Sequence, residues 1–167
     1  MTSELLVILH DVHKRLTETH KTVSVAESCT GGLLGAALTD RRGSSSYFLG
    51  GIQAYADSVK EELLGVDHET LVSVGAVSEE VASEMALGIQ RLTGSDWAVS
   101  TTGIAGPDGG TEEKPVGTVW VSVADSAGVF SQKLSLDGGR SAVRDRTVIE
   151  ALSMLLERLS HHDDDDL

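Results

Sequence analysis

The chain has 167 residues, of which 26 are acidic and 13 are basic, so its formal net charge at pH 7 is −13. This charge and an aromatic content of 4% argue against a nucleic-acid-binding protein, which needs a basic surface and stacking platforms. The single cysteine excludes an intrachain disulfide, and no apolar run reaches the ~20 residues of a membrane span. We therefore expect a cytoplasmic protein with one domain over residues 1–160 and a solvated acidic tail over residues 161–167.

The first two thirds of the sequence alternate helical and strand patterns. The predicted elements are a helix over 3–19, a strand over 22–26, a small-residue helix over 33–40, a loop over 41–51, a strand over 52–55, and helices over 57–64, 68–72 and 78–92. Asp57 and Ser78 are predicted to cap two of these helices, and Gly65 and Gly94 to end them.

The last third predicts a strand, a long loop, a β-hairpin and a terminal helix. These elements cover residues 97–101, 103–117, 118–124 paired with 129–136, and 140–159. Alternating strands and helices indicate an α/β fold with a mostly parallel sheet, and the hairpin requires at least one antiparallel strand.

Three glycine-rich polar segments follow strand ends, at residues 27–32, 47–55 and 103–110. Ligands of open α/β sheets bind beyond the carboxyl ends of the strands, so the turns after Ala26 and Thr101 are expected to form one site. The helix after Gly32 offers a place for a small phosphate. The common nucleotide-binding and metal-ligand motifs are absent, and metal binding by His161 and His162 is a weaker alternative to a solvated tail.

The candidate nucleophiles in the first segment are Ser28, Cys29 and Thr30. No histidine lies in a glycine-rich segment, so the base for a nucleophilic serine would be a lysine. Lys60 and Lys114 both flank these segments and remain open as candidates. A lysine base requires a lowered pKa, and we expect Cys29 to be a buried structural residue.

Four segments together resemble the CinA C-terminal-domain family, whose enzymatic members are nicotinamide-nucleotide amidases. They are AESCTGG at 26–32, GSSSYFLGGIQAYADSVKEELLGV at 43–66, GAVSEEVASEMALG at 75–88 and GIAGPDGGTEEKPVGTVWVSV at 103–123. The resemblance extends from about residue 5 to about residue 160, and it implies the stand-alone form of the domain. It also implies an α/β/α three-layer fold with a mixed, mostly parallel five-stranded sheet and one antiparallel strand.

The resemblance implies deamidation of nicotinamide mononucleotide to nicotinate mononucleotide and ammonia by a Ser–Lys mechanism, without a metal or other cofactor. By position, Ser28 is the expected nucleophile, Lys60 the base and Tyr55 a supporting residue. The expected substrate-binding residues are Thr30, Gly31, Gly32, Thr102, Gly103, Gly106, Gly109, Gly110 and Arg140.

Two positions depart from the family pattern, and both concern charge. Gly139 precedes Arg140 where the family has Asp, which leaves the orientation of Arg140 in question. Asp57 stands where the family often has Asn, and its carboxylate would raise the pKa of Lys60 if the two met. We expect Asp57 to face outward as a helix cap.

Three other readings of the sequence remain. The first is a non-catalytic nucleotide-binding regulatory module on the same fold, and the second is an amidase for another small carboxamide. The third is a partner in DNA uptake or repair, which the charge disfavours. The resemblance implies a homodimer, and the small residues Gly35, Ala36 and Ala37 could pack either on a neighbour or on the chain's own sheet.

Overall fold

Strands and helices follow one another along the chain in the order that the sequence predicts. The computed structural model describes the backbone of residues 1–165 and the side chains of residues 1–162. The elements are α1 Ser3–Thr19, β1 Val23–Glu27, α2 Leu33–Thr39, a 3-10 turn Ser44–Ser46, β2 Phe48–Gln53, α3 Asp57–Leu64, α4 His68–Val74, α5 Glu79–Thr93, β3 Trp97–Gly103, β4 Thr118–Ala124, β5 Val129–Ser135 and α6 Arg140–Asp165. None of the helices within residues 1–165 is both long and apolar enough to cross a membrane.

The five strands form one mixed sheet in the order β2-β1-β3-β4-β5. Strand β1 pairs in parallel with both β2 and β3, whereas β4 runs antiparallel to β3 and to β5. Four strands therefore point the same way and β4 alone is reversed. The predicted mixed five-stranded sheet with one antiparallel strand is confirmed.

Helices cover both faces of the sheet and complete the three expected layers. Because successive residues of a strand point to opposite faces, Val25 belongs to the core beneath α1, α2 and α6, and Ala26 to the core beneath α3, α4 and α5. Small residues line the face of the sheet that α3, α4 and α5 cover. On that face the Oγ of Ser100 in β3 donates to the carbonyl of Ala82 in α5 at 2.6 Å, so α5 packs close to the sheet.

Strand β2 begins at residue 48, four residues earlier than predicted, and ends at residue 53. Composition suggested a loop because the strand contains Gly50 and Gly51. Gly51 is required by packing. A Cβ there would lie 2.5 Å from Cγ2 and 2.9 Å from the carbonyl oxygen of Val25 on the neighbouring strand.

The helix ends confirm most of the predicted caps. The Oγ of Ser78 accepts from the N–H of Val81 at 3.2 Å, and Gly65 and Gly94 end their helices with positive φ. The predicted cap at Asp57 is wrong. Ala56 is the N-cap without a side-chain bond, and Asp57 is the first helical residue.

Helix α6 continues through residue 165, beyond the predicted end at residue 159. His162 explains part of this extension, since its Nε2 lies 3.2 Å from Oδ2 of Asp125 and its ring meets that of Trp97 edge-on. Its side chain is therefore packed against the domain. Within the described part of the chain, no three potential ligands cluster as a metal site would require. Residues 166 and 167 of the predicted tail lie outside the described residues.

Candidate active site

The segments that follow β1, β2 and β3 meet at one edge of the sheet. The N–H of Ser28 donates to the carbonyl of Thr101 at 2.9 Å, and the N–H of Ala54 donates to the carbonyl of Glu27 at 2.7 Å. These bonds extend the parallel pairing past the strand ends. The turns after Ala26 and Thr101 thus lie side by side, as expected from the topology.

Helix α3 brings Lys60 to Ser28. The Nζ of Lys60 lies 3.3 Å from Oγ of Ser28 and donates to the carbonyl oxygen of Tyr55 at 3.0 Å. Only 1% of Lys60 and 8% of Ser28 is exposed to solvent. A lysine amine shielded from water and touching a serine hydroxyl is the arrangement of a nucleophile and its base.

Burial lowers the pKa of Lys60, because the low-dielectric interior disfavours the charged ammonium. The Asp57 carboxylate acts in the opposite direction, with its Oδ1 3.6 Å from Nζ. The expectation that Asp57 faces outward is therefore wrong. Its i,i+3 spacing from Lys60 on α3 places the carboxylate beside the ammonium, although 62% of the side chain stays exposed.

A pocket of about 210 Å³ opens at this pair. Its lining residues are Ser28, Cys29, Tyr55, Asp57, Lys60, Ala76, Val77, Thr102, Gly103, Ala105 and Arg140. The polar side chains of Ser28, Lys60 and Asp57 thus share one cavity with three apolar residues, Ala76, Val77 and Ala105. The sequence did not indicate these three residues, because alanine and valine belong to no recognisable motif.

Arg140, the first residue of α6, crosses the mouth of the pocket. Its Nη1 donates to the carbonyl oxygen of Gly106 at 2.9 Å and its Nη2 donates to the hydroxyl of Tyr55 at 3.3 Å. Tyr55 itself is 64% exposed at the rim. The loop carbonyl and the tyrosine orient Arg140 without a carboxylate, so the missing Asp before Arg140 does not leave its side chain without partners.

The competing nucleophile and the competing base are both disfavoured. Cys29 is buried, and desolvation raises the pKa of its thiol to about 12, so the reactive thiolate is scarce at neutral pH. Lys114 donates from its Nζ to the carbonyl oxygen of Val74 and does not line the pocket. Ser28 and Lys60 are the pair that the structure brings together.

Glu27 occupies the amino terminus of α2, the position considered for a phosphate. Its carboxylate accepts hydrogen bonds from the hydroxyl of Thr30 at 2.6 Å and from the N–H groups of Leu34 and Gly35 at 2.8 and 3.0 Å. Only 2% of Glu27 is exposed. This helix terminus is satisfied within the chain, and an external anion would have to displace a carboxylate.

Thr30, Gly31 and Gly32 consequently lie behind the pocket and do not line it. Thr30 is fully buried, and its Oγ1 is hydrogen-bonded to Oγ1 of Thr101 at 2.8 Å. The N–H of Gly32 faces Glu27 at 3.3 Å. These residues shape the turn that carries Ser28. No local signal pointed to this role of Glu27, because it ends β1 and lies six residues before the first residue of α2.

One residue of this turn after Ser28 lines the pocket. Cys29 does so, whereas Thr30 is fully buried and the N–H of Gly31 donates to the carbonyl of Ser28 at 3.1 Å. The N–H of Cys29 directly follows Ser28 in the chain. It is therefore the best-placed backbone donor for an oxyanion.

Arg144 is a further residue that sequence reasoning missed. Its Nε donates to the carbonyl oxygen of Cys29 at 3.1 Å and its Nη2 donates to that of Thr30 at 3.2 Å. The guanidinium thereby fixes the turn after Ser28 from α6. Its i,i+4 spacing from Arg140 places both arginines on the same face of that helix, and this was the available signal.

The third glycine-rich segment contributes unevenly to the pocket. Thr102 and Gly103 line it, and the hydroxyl of Thr102 donates to the carbonyl of Ala76 at 2.8 Å. Gly106 contributes the carbonyl that holds Arg140. Gly109 and Gly110 lie further along the loop and do not line the pocket.

Comparison with known sequences places most of the chain in one family. Residues 7–159 match the sequence model of the CinA C-terminal domain. A CinA-like protein of Synechocystis sp. is 54% identical over 147 residues, which are 86% of this chain and 35% of that relative. A competence-damage inducible protein of Thermoanaerobacter pseudethanolicus is 50% identical over 144 residues, again 86% of this chain and 35% of the relative. The chain spans about a third of the length of these relatives.

Solved structures share the fold along nearly the whole chain. The crystal structure of the competence/damage inducible protein CihA from Agrobacterium tumefaciens has a TM-score of 0.92 and 39% identity, covering 96% of this chain and 98% of that one. A CinA superfamily protein from Escherichia coli gives a TM-score of 0.86 and 32% identity, covering 89% of this chain and 87% of that one.

Proposed function

We propose that this chain, which belongs to the CinA C-terminal domain family, is a Ser–Lys amidohydrolase that deamidates nicotinamide mononucleotide. One observation carries the proposal. The Nζ of Lys60 lies 3.3 Å from Oγ of Ser28 in a pocket, while the lysine is 1% exposed. Burial lowers the pKa of Lys60, and a neutral amine at this distance can accept the proton of the hydroxyl.

The first half of the reaction forms an ester on Ser28. As Oγ of Ser28 attacks the carboxamide carbon, Lys60 takes its proton and the carbonyl oxygen becomes an oxyanion. The N–H group of Cys29, which lines the pocket, is the backbone donor that would stabilise this oxyanion. Lys60 then passes the proton to the leaving nitrogen, the carbon–nitrogen bond breaks and ammonia departs.

The second half of the reaction removes the acyl group. A water molecule takes the place of ammonia, Lys60 accepts one of its protons, and the resulting hydroxide attacks the ester carbon. When the tetrahedral intermediate collapses, the bond to Oγ breaks and Lys60 returns the proton to Ser28. The products are nicotinate mononucleotide and the regenerated hydroxyl, and both steps use the same base.

The ribose phosphate of the substrate requires donors near the mouth of the pocket. Arg140 is exposed there, beside the loop over residues 103–110. The terminus of α2 is occupied by Glu27, so we assign the phosphate to Arg140 and this loop. An acidic protein can bind an anion in this way, because a local guanidinium outweighs distant charges that salt screens.

The test is release of ammonia and nicotinate mononucleotide by the purified chain, compared with its Ser28→Ala and Lys60→Met variants. Both variants are expected to lose activity by roughly a thousandfold or more, since each removes a member of a unit that acts together. Lys60→Met keeps the length and burial of the side chain, and circular dichroism checks that both variants fold. Full activity in Ser28→Ala would contradict the proposed nucleophile.

Two results would lead to the alternative functions. A folded wild type that binds nicotinamide mononucleotide in calorimetry without turnover would indicate the non-catalytic regulatory module. Turnover that is unchanged when the substrate's phosphate is removed would indicate an amidase for another small carboxamide, because the role of Arg140 would then be unnecessary.

A further inference from the structure

We propose that Asp57 determines substrate specificity by selecting carboxamides attached to a cationic ring. This inference rests on the proposed function and concerns the same pocket. Nothing in the chemistry of Ser28 and Lys60 requires a charged substrate, since a neutral carboxamide has the same electrophilic carbon. A preference for a cationic ring in this chain would come from another residue that faces the bound ring.

Asp57 is placed to meet that ring. It lines the pocket together with Ser28 and Lys60, and among the described residues that line the pocket it alone carries a carboxylate. Its Oδ1 is 3.6 Å from Nζ of Lys60, which is in turn 3.3 Å from Oγ of Ser28. A ring whose carboxamide reaches Ser28 therefore lies next to this carboxylate.

The state of Lys60 that catalysis requires leaves this carboxylate without a counter-ion. Lys60 is the ion-pair partner of Asp57 within the described part of the chain, and it must be neutral to accept the proton of Ser28. A cationic ring supplies the missing positive charge when the substrate binds. A neutral ring of the same shape would gain no such attraction, because the carboxylate, which is 62% exposed, would interact with water instead.

The other charge in the pocket fits the other end of the same substrate. Arg140 also lines the pocket, and the loop carbonyl of Gly106 and the hydroxyl of Tyr55 hold its side chain. When Lys60 is neutral, the pocket carries one negative and one positive group, and its substrate would carry a cationic ring and an anionic phosphate. Charge complementarity of this kind acts mainly on specificity.

Asp57 also has a simpler role, and the test must distinguish that role from the selection of substrates. As an acidic residue in the first turn of α3, it stabilises the helix through the helix dipole. Such a role would not depend on the charge of the substrate. The discriminating quantity is therefore a ratio of two substrates measured on the same variant, in which effects on folding and on Lys60 cancel.

The experiment compares nicotinamide mononucleotide with benzamide ribonucleotide, in which carbon replaces the charged ring nitrogen. We measure kcat/KM for both with the wild type, Asp57→Asn and the matched control Glu62→Gln, which removes an exposed carboxylate from α3 outside the pocket. Asp57→Asn is expected to lower the cationic-to-neutral ratio by about three- to fivefold, the upper range of an exposed charge pair. Glu62→Gln is expected to change it by less than about 1.5-fold.

A binding measurement separates this inference from the proposed function. Calorimetry in the Ser28→Ala background gives Kd for both nucleotides without turnover, and adding Asp57→Asn is expected to weaken only the cationic one. If that holds while the wild type deamidates neither, the proposed function fails and the selection by Asp57 stands. An unchanged ratio in both assays would overturn the inference while leaving the amidase proposal intact.

Discussion

At the scale of single residues, the reactivity of the site depends on the charge of Lys60. Its amine must be neutral to accept the proton of Ser28, and desolvation lowers its pKa for that purpose. The carboxylate of Asp57 at 3.6 Å opposes this by favouring the ammonium. Desolvation is the larger of the two effects, so the pKa of Lys60 lies below its usual value.

Asp57→Asn is expected to move the acidic limb of the kcat/KM profile to lower pH. Activity falls where Lys60 becomes protonated as the pH decreases, and removing the carboxylate lowers the pKa at which this happens. We divide each kcat/KM profile by its own plateau value. On the acidic side of the limb, the variant should then be about two- to fivefold more active than the wild type, because a half-exposed ion pair contributes an energy of that size. The measurement is a pH series of initial rates for ammonia release.

Glu62→Gln is again the control for the pH series, because it removes a charge from α3 without touching Lys60. Its limb should coincide with that of the wild type. A shift of the Asp57→Asn limb to higher pH would show that the carboxylate does not act on Lys60 in the way that the 3.6 Å distance implies.

The residues alone left Cys29 and Thr30 open beside Ser28 and left Lys114 open beside Lys60, and the resemblance to a family selected Ser28 and Lys60. The sequence was not sufficient for Asp57, because the same residue type serves as a helix cap or as a partner for a lysine one turn later. That choice depends on the exact start of α3, which is Asp57 itself and not the residue after it. Arg144 was missed because its partners are backbone carbonyls, which no motif records.

At the scale of elements, the position of α3 relative to α5 sets the distance between Lys60 and Ser28. The two helices touch where Gly88 of α5 meets Leu64, the last residue of α3. A Cβ on Gly88 would overlap the carbonyl oxygen of Leu64. Lys60 lies one turn before Leu64, so the close approach that glycine permits also holds the base in place.

Gly88→Ala is expected to lower activity although Gly88 does not line the pocket. Displacement of α3 by the added methyl should reduce kcat by roughly ten- to a hundredfold, since small misplacements of a catalytic group cost that much. The free energy of unfolding should fall by about 1–3 kcal/mol from overpacking. Rates of ammonia release and urea denaturation measure the two effects.

Gly35→Ala is the matched control, because it makes the same change in α2 where a Cβ would have ordinary contacts of 3.4 to 3.7 Å with Glu27, Phe48 and Val25. There the higher helix propensity of alanine should leave stability unchanged or raised by up to about 1 kcal/mol. Equal losses in both variants would indicate a general intolerance of alanine and would argue against a specific α3–α5 contact.

Most elements could be predicted because their patterns are local. The hairpin of β4 and β5 follows from alternation, and α5 follows from its cap and its apolar spacing. The start of strand β2 could not be predicted, because Gly51 is explained by the approach of Val25 on a strand more than twenty residues earlier. The end of α6 depends on a contact between His162 and Asp125, and such a distant pairing leaves no local signal.

At the scale of the whole molecule, the net charge of −13 bears on the names of the relatives. Several are described as competence-damage inducible, and a partner in DNA uptake or repair was the third alternative reading of the sequence. We expect no contact with DNA by this chain. At physiological salt its Kd for a labelled duplex should be weaker than about 10⁻⁴ M, which is already weak for non-specific binding.

Fluorescence anisotropy of the labelled duplex measures this binding. A titration at low salt is the more sensitive test, because binding to DNA phosphates strengthens as the salt concentration falls. Binding in the low micromolar range that weakens steeply with salt would contradict the prediction and indicate a basic surface that the composition conceals.

The expected homodimer stays a prediction, although one part of its argument is settled. Gly35 faces the chain's own sheet, where a Cβ would contact Val25 and Phe48. Ala36 and Ala37 instead line an apolar groove of about 500 Å³ together with Leu5, Val148 and Ile149. Gly35 therefore packs on the chain's own sheet and Ala37 belongs to the chain's own core, while packing on a neighbour stays a prediction.

The burial of Cys29 makes the natural sequence a convenient background for site-specific labelling. This cysteine is the only one in the chain, and at 5% exposure it is shielded from maleimides and iodoacetamides. A second cysteine at an exposed position beside the pocket, such as Ser58→Cys, would therefore take a fluorophore selectively without prior removal of the native thiol. Arrival and departure of a nucleotide could then be followed in real time by the emission of a single dye.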